Sequence, residues 1–309
     1  AGHALRRQLP VTPLQESLAL TEKAGCPVFL KIETTQPTRS FKVRGALNRV
    51  RRLGAGERRA GVVSASAGNH GQGVAYAART FGIPATVYAP VGANEGKVAS
   101  MRRLGARVVE HGRTFSEANR EAQRVAAETG AAFVHAYDDP DVIAGQGTVG
   151  LELLEQLPDV DTVLCPIGGG GLVSGLAVHL KARRPDVRIV GVEPAGAAAM
   201  HASHQAGHLV VLDRVDTMAD GLAASAPSPL TFAISEACVD ELLVVEEGEM
   251  LRAIRVLMQW EHLLVEPAGA AATAALLHHY RPRPGERVAV LVSGANVADQ
   301  VLVRALRTR

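Results

Sequence analysis

The sequence predicts an α/β protein in which mostly parallel strands are covered by helices on both faces. Short β-branched runs alternate with helical patterns along the whole chain. The candidate strands are continuous apolar runs rather than alternating ones, which is typical of strands buried on both sides. The chain has 309 residues, 47% of them hydrophobic, which is enough for two lobes with a large core.

The order of these patterns divides the chain into two predicted domains. The candidate strands are 28–32, 61–65, 86–89, 107–110, 132–135, 162–166, 188–193, 242–245 and 288–292. Helical patterns occupy 71–81, 114–129, 142–156, 172–183, 249–262 and 269–280. We predict a small domain at 52–139, inserted into a large domain formed by 1–51 and 140–309, with the active site in the cleft between them.

Composition and charge exclude several classes of partner. The net charge of +2 does not favour nucleic acid or an anionic membrane surface. The three cysteines, Cys26, Cys165 and Cys238, are far apart and lack metal-ligand spacing, which favours a reducing compartment. No signal peptide or membrane-spanning apolar run is recognisable, so we expect a cytoplasmic protein.

Lys42 is the first candidate catalytic residue. It lies between a proline-marked loop and a helical pattern that begins near Gly45. The positive end of a helix dipole favours a neutral amine, and a neutral amine is a nucleophile that can form a Schiff base with an aldehyde cofactor. Most lysines are solvated surface charges, so Lys42 alone is a weak signal.

Three loops that follow strands could share a site with Lys42, because ligands of such sheets bind at the carboxyl ends of the strands. After strand 61–65, residues 66–73 offer backbone N–H groups and polar side chains for a carboxylate, although Asn69 could instead cap a helix. After strand 162–166, four consecutive glycines open a helix, and we expect them to bind a phosphate. After strand 288–292, Ser293 could face a ring nitrogen or cap the last helix.

A Schiff-base lysine, a phosphate loop, a carboxylate site and a hydroxyl for a ring nitrogen together describe pyridoxal phosphate. The chain resembles the fold-type II (tryptophan synthase β-like) pyridoxal-phosphate enzymes, specifically the threonine/serine dehydratase and serine racemase family. The resemblance implies two open, twisted, mostly parallel sheets with flanking helices. The resembling segments, in the family's order, are 40–46, 66–70, 142–148, 168–171, 266–269 and 293–296.

The resemblance also implies residue roles. Lys42 would be the catalytic Schiff-base lysine. The implied cofactor-binding residues are Phe41, Lys42, Asn69, Gly168, Gly169, Gly170, Gly171, Leu172 and Ser293. The implied substrate-binding residues are Ser66, Ala67, Asn69, His70 and Tyr137. The implied reaction removes water and ammonia from a β-hydroxy-α-amino acid, L-threonine or L-serine first, to leave a 2-oxo acid. The family is usually dimeric, so a homodimer is expected.

Departures from the family pattern and rival functions remain open at this point. Ala67 stands where racemases of the family carry a serine, which favours dehydration over racemisation. Glu193 matches one residue of an acidic pair that binds a divalent ion in some members, but 197–199 supply no second carboxylate. A structural role for Glu193 is therefore favoured, and Glu193 with main-chain carbonyls stays a weak candidate for a metal ion. Alternatives on the same fold are a lyase for 3-hydroxyaspartate or another β-substituted amino acid, a serine racemase-like enzyme and, less favoured, a β-replacement enzyme. From other classes, a nucleotide-binding oxidoreductase and a non-catalytic cofactor-binding protein remain.

Overall fold

The computed structural model describes residues 1–308, which form two compact units. The first unit contains Ala1–Pro10 and Gln36–Gln146. The second unit contains Val11–Thr35 and the chain from Gly147 onward. The small domain predicted at 52–139 lies inside the first unit, and its function as a separate domain stays a prediction.

Two mostly parallel sheets form the centres of the two units, which confirms the α/β prediction. Numbered along the chain, the strands are β1 (Leu14–Glu16), β2 (Val28–Ile32), β3 (Val62–Ala65), β4 (Ala85–Ala89), β5 (Arg107–Glu110), β6 (Ala132–Phe133), β7 (Thr162–Pro166), β8 (Arg188–Pro194), β9 (Glu241–Val245) and β10 (Val288–Val292). The sheet of the first unit has the order β5-β4-β3-β6 and is parallel throughout. The sheet of the second unit has the order β1-β2-β10-β7-β8-β9, in which only β1 runs antiparallel to its neighbour.

Helices fill the connections between the strands, as the periodicity predicts. They are α1 (Gly2–Leu5), α2 (Leu18–Ala24), α3 (Lys42–Arg51), α4 (Ala55–Ala60), α5 (Asn69–Phe81), α6 (Glu95–Arg103), α7 (Phe115–Thr129), α8 (Pro140–Gln146), α9 (Thr148–Gln156), α10 (Gly171–Arg183), α11 (Ala199–Ala206), α12 (Pro229–Cys238), α13 (Glu247–Trp260), α14 (Pro267–His278) and α15 (Asp299–Arg307). Short 3₁₀ turns occur at Glu33–Thr35, Ala195–Ala197 and Asp220–Leu222. Within residues 1–308, no helix is both long enough and apolar enough to cross a bilayer.

Local sequence explains where several helices begin and end. The Thr114 hydroxyl accepts a hydrogen bond from the Glu117 amide at 3.2 Å, and the Glu117 carboxylate accepts one from the Thr114 amide at 3.1 Å. This reciprocal capping begins α7, and Gly130 ends it in the left-handed conformation that glycine adopts without strain. Pro229 in the first turn of α12 follows the capping residue Ser228 in the same manner.

Two predicted elements differ from the structure, and one short strand was not predicted. The predicted strand 132–135 ends at Phe133, and residues 134–137 form an irregular segment. The predicted helix 142–156 is two helices, α8 and α9, interrupted at Gly147. Strand β1 has no counterpart among the predicted strands, because Leu14-Gln15-Glu16 contains a single apolar residue and pairs only with β2.

Candidate active site

Lys42 is the first residue of α3 and is half-buried. Its Nζ donates a hydrogen bond to the main-chain oxygen of Ala136 at 3.1 Å. The same Nζ lies 5.2 Å from the centroid of the Phe41 ring. The amine is therefore at a helix start, as predicted, and is directed toward the segment that follows β6.

Two glycines allow neighbouring helices to approach the first turn of α3 backbone to backbone. A Cβ atom added at Gly73 in α5 would lie 3.1 Å from the main-chain oxygen of Lys42. A Cβ atom added at Gly145 in α8 would lie 2.6 Å from the main-chain oxygen of Arg44. The distance at Gly145 is shorter than real Cβ atoms show, so this position needs glycine, and the distance at Gly73 is tighter than most Cβ contacts. The backbone that carries Lys42 is thus held by α5 on one side and α8 on another.

The loop after β3 leads into α5 and has the features of an anion site. The Ser66 hydroxyl accepts a hydrogen bond from the Gly68 amide at 3.1 Å. Gly68 is the N-cap of α5 without a side-chain hydrogen bond, and Asn69 is the first helical residue. The alternative in which Asn69 caps the helix is therefore wrong. Ala67 and Asn69 are half-buried, and the N–H groups of a first helical turn have no partners within the helix.

His70 lies in the first turn of α5, and its neutral ring donates one hydrogen bond. Its Nε2 is 2.9 Å from the main-chain oxygen of Val134, so Nε2 carries the proton and donates. Burial, with a smaller contribution from the nearby charge of Lys42, lowers the pKa of His70 from 6.5 to about 3. Its Nδ1 is buried and has no hydrogen-bond partner. The ring therefore has no N–H left for a carboxylate, and only the His70 main chain could donate to one.

Tyr137 lies in the segment after β6, together with the carbonyl that accepts from Lys42. Its ring contacts the His135 ring edge to face at 4.7 Å between centroids. The His135 Nδ1 accepts a hydrogen bond from the main-chain amide of Asp138 at 2.8 Å. Burial lowers the pKa of His135 and raises that of Tyr137, so each favours its neutral form. Because β3 and β6 are adjacent and parallel, this segment and the Ser66 loop leave the same edge of one sheet.

The glycine loop follows β7 in the second unit. Gly170 has φ of +89° and is the N-cap of α10. A Cβ atom at Gly170 would lie 2.8 Å from Thr231 Cβ and 2.9 Å from Met200 Cε, and one at Gly168 would lie 3.0 Å from Leu222 Cα. Packing thus explains two of the four glycines, which the sequence alone did not indicate. Contacts within the second unit therefore help to determine the conformation of the loop, independently of any ligand.

The start of α10 can accept an anion. It has no side-chain cap and no acidic residue in its first turn. The first N–H of α10 with a main-chain partner inside the loop is that of Ser174, which donates to the Gly170 oxygen at 2.9 Å. The N–H groups of Gly171 and Leu172 precede it, at the positive end of the helix dipole. N–H groups in this position favour an anion such as a phosphate.

Ser293 follows β10, the strand adjacent and parallel to β7, so it leaves the same sheet edge as the glycine loop. The Ser293 side chain is buried, and its hydroxyl donates to the main-chain oxygen of Ala268 at 3.3 Å. The last helix begins at Asp299 with Ala298 as its N-cap. The alternative in which Ser293 caps this helix is therefore wrong.

Glu193 does not lie in an arrangement that fits a divalent cation. Its Oε1 accepts a hydrogen bond from the Met200 amide at 2.9 Å, and its Oε2 accepts one from the His201 amide at 2.7 Å. Burial raises the pKa of Glu193 to about 7, although both hydrogen bonds act in the opposite direction. In the described part of the chain, no three His, Cys, Asp or Glu side chains are grouped as metal ligands.

Comparison with known proteins identifies the family. The family model described as "Pyridoxal-phosphate dependent enzyme" matches residues 5–294. The chain belongs to this family. The L-threonine ammonia-lyase of Thermotoga maritima is 43% identical over 304 residues, which cover 98% of this chain and 76% of the relative.

Solved structures of similar proteins agree with this membership. The processed form of threonine deaminase isoform 2 from Solanum lycopersicum superposes with a TM-score of 0.94 at 36% identity, covering 98% of this chain and 84% of that one. Maize serine racemase gives a TM-score of 0.93 at 34% identity, covering 98% and 93%. The family's cofactor is pyridoxal phosphate, and the uncapped α10 start, the glycine loop and the Lys42 amine fit it. The dinucleotide alternative has no such support.

Two features near the site had no clear sequence signal. The acceptor of the Lys42 amine is a main-chain carbonyl, that of Ala136, and such an acceptor leaves no mark in the sequence. His135 lies beside it, but a single histidine at a strand end is usually structural. Only its position directly after an apolar strand could have suggested a place near the site.

Proposed function

We propose that this chain is an ammonia-lyase that converts L-threonine, L-serine or both to a 2-oxo acid and ammonia. The observation that carries the proposal is the Lys42 amine, held at a helix start by the Ala136 carbonyl beside the neutral ring of His70. The similarity to an L-threonine ammonia-lyase over nearly the whole chain supports the substrate class.

Residues of both units would hold the cofactor. When bound, pyridoxal phosphate supplies an electron sink that weakens bonds at the α-carbon of an amino acid. Lys42 would bind it covalently through Nζ, and Ser293 would meet its ring nitrogen. The phosphate would lie on the N–H groups of the glycine loop and the start of α10. The remaining residues proposed to contact the cofactor are Phe41, Asn69, Gly168, Gly169, Gly170, Gly171 and Leu172.

The start of α5 would bind the carboxylate of the substrate. The main-chain N–H groups of the first turn, together with Ser66 and Asn69, supply the donors. His70 would contribute its main-chain N–H, because its ring donates to Val134. Ala67 and Tyr137 would border the substrate. This arrangement fixes the α-carbon relative to Lys42.

Lys42 and Ser293 would determine the course of the reaction. After the substrate has displaced it, the Lys42 amine takes the α-proton and holds it at Nζ. A serine hydroxyl is a much weaker acid than a carboxylic acid, so Ser293 leaves the ring nitrogen largely unprotonated. A cofactor held in this way would store charge poorly in its ring, which would favour loss of the β-hydroxyl group over transamination. The proton held at Lys42 Nζ could be given to that hydroxyl group, which would then leave as water.

Ala67 would limit racemisation, because a methyl group cannot carry a proton to the second face of the substrate. The variant Ala67→Ser should therefore gain measurable formation of D-serine from L-serine, detected by chiral chromatography. Its stability should match that of the unaltered protein, since a half-buried hydroxyl is easily accommodated. Absence of D-serine would show that racemisation is limited by something other than this face.

The deciding experiment is turnover by the purified protein with added pyridoxal phosphate. We expect L-threonine to give 2-oxobutanoate and ammonia in equal amounts, L-serine to give pyruvate, and Lys42→Ala to give neither while keeping the same circular dichroism. Formation of 2-oxo acid by Lys42→Ala at an undiminished rate would refute the role of Lys42. Turnover of 3-hydroxyaspartate alone would transfer the assignment to that alternative.

Three further expectations belong to the same proposal. We propose that the enzyme acts as a homodimer, that it works in the cytoplasm, and that its active site lies in a cleft between a small domain at 52–139 and the rest of the chain. Light scattering, cell fractionation and a structure with bound cofactor test these in turn.

A further inference from the structure

Helix α11 has no local residue that could cap its start. Its N-cap is Ala198, which makes no side-chain hydrogen bond, and its first turn contains no acidic residue. The N–H groups at the start of a helix need acceptors when they are buried, and Met200 is fully buried. The acceptor is Glu193, at the end of β8, which binds the amides of Met200 and His201 with one carboxylate oxygen each.

The helix that Glu193 caps packs against the glycine loop. The Met200 side chain is one of two groups that a Cβ atom at Gly170 would meet, and Thr231 of α12 is the other. Helices α11 and α12 are in turn joined by a hydrogen bond of 3.0 Å between His204 Nε2 and Ser235 Oγ. Met200 and Thr231 therefore confine Gly170, the residue that turns the chain into α10.

We propose that Glu193 is a positioning residue for the phosphate loop, and that its carboxylate, rather than a divalent cation, fixes α11 and Met200 against Gly170. Each carboxylate oxygen already accepts one main-chain N–H, so the carboxylate has a structural task without a cation. Ala197 and Ala199 offer no carboxylate to complete a cation site. The inference rests on the glycine loop as the phosphate site of the proposed function.

The first test uses the cofactor-free protein and needs no catalytic activity. Amide hydrogen exchange is measured for peptides covering 199–206 and 168–174 in the unaltered protein, with and without EDTA, and in Glu193→Ala and Glu236→Ala. Glu236 is an exposed carboxylate on the neighbouring helix α12, so its variant is a matched control. We expect faster exchange at both segments in Glu193→Ala only, and no effect of EDTA. Protection lost with EDTA, or retained in Glu193→Ala, would overturn the inference.

The second test measures the dissociation constant of pyridoxal phosphate by absorbance titration. Loss of a helix cap should weaken cofactor binding about tenfold in Glu193→Ala if it acts through the loop. Glu193→Gln retains one carbonyl acceptor, so its dissociation constant should fall between those of the unaltered protein and Glu193→Ala. It also provides a second variant if Glu193→Ala does not fold. Mg²⁺, Ca²⁺ and Mn²⁺ should leave the dissociation constant of the unaltered protein unchanged. A cation-dependent affinity, or an unchanged affinity in both variants, would refute the proposal.

A double-mutant cycle separates positioning from general stability. Met200→Ala keeps the main-chain N–H that Glu193 binds but removes the side chain that contacts Gly170. If Glu193 acts through Met200, the double variant should bind the cofactor no more than about twofold more weakly than the weaker single variant. Fully additive losses would show that Glu193 does not act through Met200 and would overturn this part of the inference.

A protein that binds no pyridoxal phosphate at all would refute the proposed function, whereas the hydrogen-exchange result would still decide the role of Glu193 in α11.

Discussion

His70 should make the stability of the protein fall as the pH decreases from 7 to 4. The folded protein holds this ring neutral, because burial and the charge of Lys42 lower its pKa from 6.5 to about 3. Below pH 6.5 the unfolded chain binds a proton at this position and the folded chain does not. The contribution to stability is therefore complete above pH 6.5 and is lost progressively as the pH falls toward 3.

The size of the effect follows from the difference between the two pKa values. One pKa unit corresponds to about 1.4 kcal/mol, so a pKa lowered from 6.5 to about 3 gives a limit of about 5 kcal/mol. At pH 5 the loss is about 2 kcal/mol relative to pH 8.

His70→Gln removes the titrating group while keeping a side-chain N–H for the Val134 oxygen. Urea unfolding of both proteins at pH 8, 7, 6 and 5 measures the difference in slope, and other histidines contribute equally to both. Identical slopes for the two proteins would refute the assigned state of His70.

Two further predictions concern packing and buried charge. Gly145→Ala should destabilise the protein by about 1–3 kcal/mol, because the new methyl group meets the Arg44 oxygen at 2.6 Å; Gly56→Ala, with no atom within 4 Å, should have no unfavourable effect in the same urea titration. Equal free energies of unfolding for the two variants would contradict the close approach of α8 to α3. Lys31→Met should cost about 3–5 kcal/mol, because it removes the ammonium group that lies 2.8 Å from the buried Glu152 carboxylate. The double variant with Glu152→Gln should regain much of that loss, and a double variant as unstable as Lys31→Met would contradict this explanation.

Much of the fold could be predicted because its strands are continuous apolar runs. The predicted ranges 28–32, 107–110, 162–166 and 288–292 coincide with β2, β5, β7 and β10. The interruption between α8 and α9 was missed because periodicity continues through it. At this junction the Gln146 side-chain oxygen accepts a hydrogen bond from the Gly45 amide at 3.1 Å, and local sequence does not show such a tertiary contact.

The site could be predicted in part, because its motifs are short and directly follow strands. The positions of Lys42, the Ser66 loop, the glycine loop and Ser293 after strands or at helix starts agree with expectation. The reasons why glycine is needed in the loop after β7 could not be predicted from the sequence. The sequence pattern predicts space for a ligand at the glycine run, yet Gly168 and Gly170 are close to residues 30 to 61 positions away. Such contacts cannot be read from local sequence.

Glycine serves a related purpose in both units, which is to allow a close approach that a side chain would block. Gly73 and Gly145 bring α5 and α8 to the backbone that carries Lys42, and Gly170 lies between Met200 and Thr231 at the start of α10. Close packing of this kind fixes the main chain of Lys42 and the main chain at the start of α10 through the fold itself. The same reasoning explains why Glu193 matters at a distance from any ligand. It caps a helix whose side chain touches one of these glycines, and so the precision of the phosphate loop depends on a carboxylate that contacts neither cofactor nor substrate.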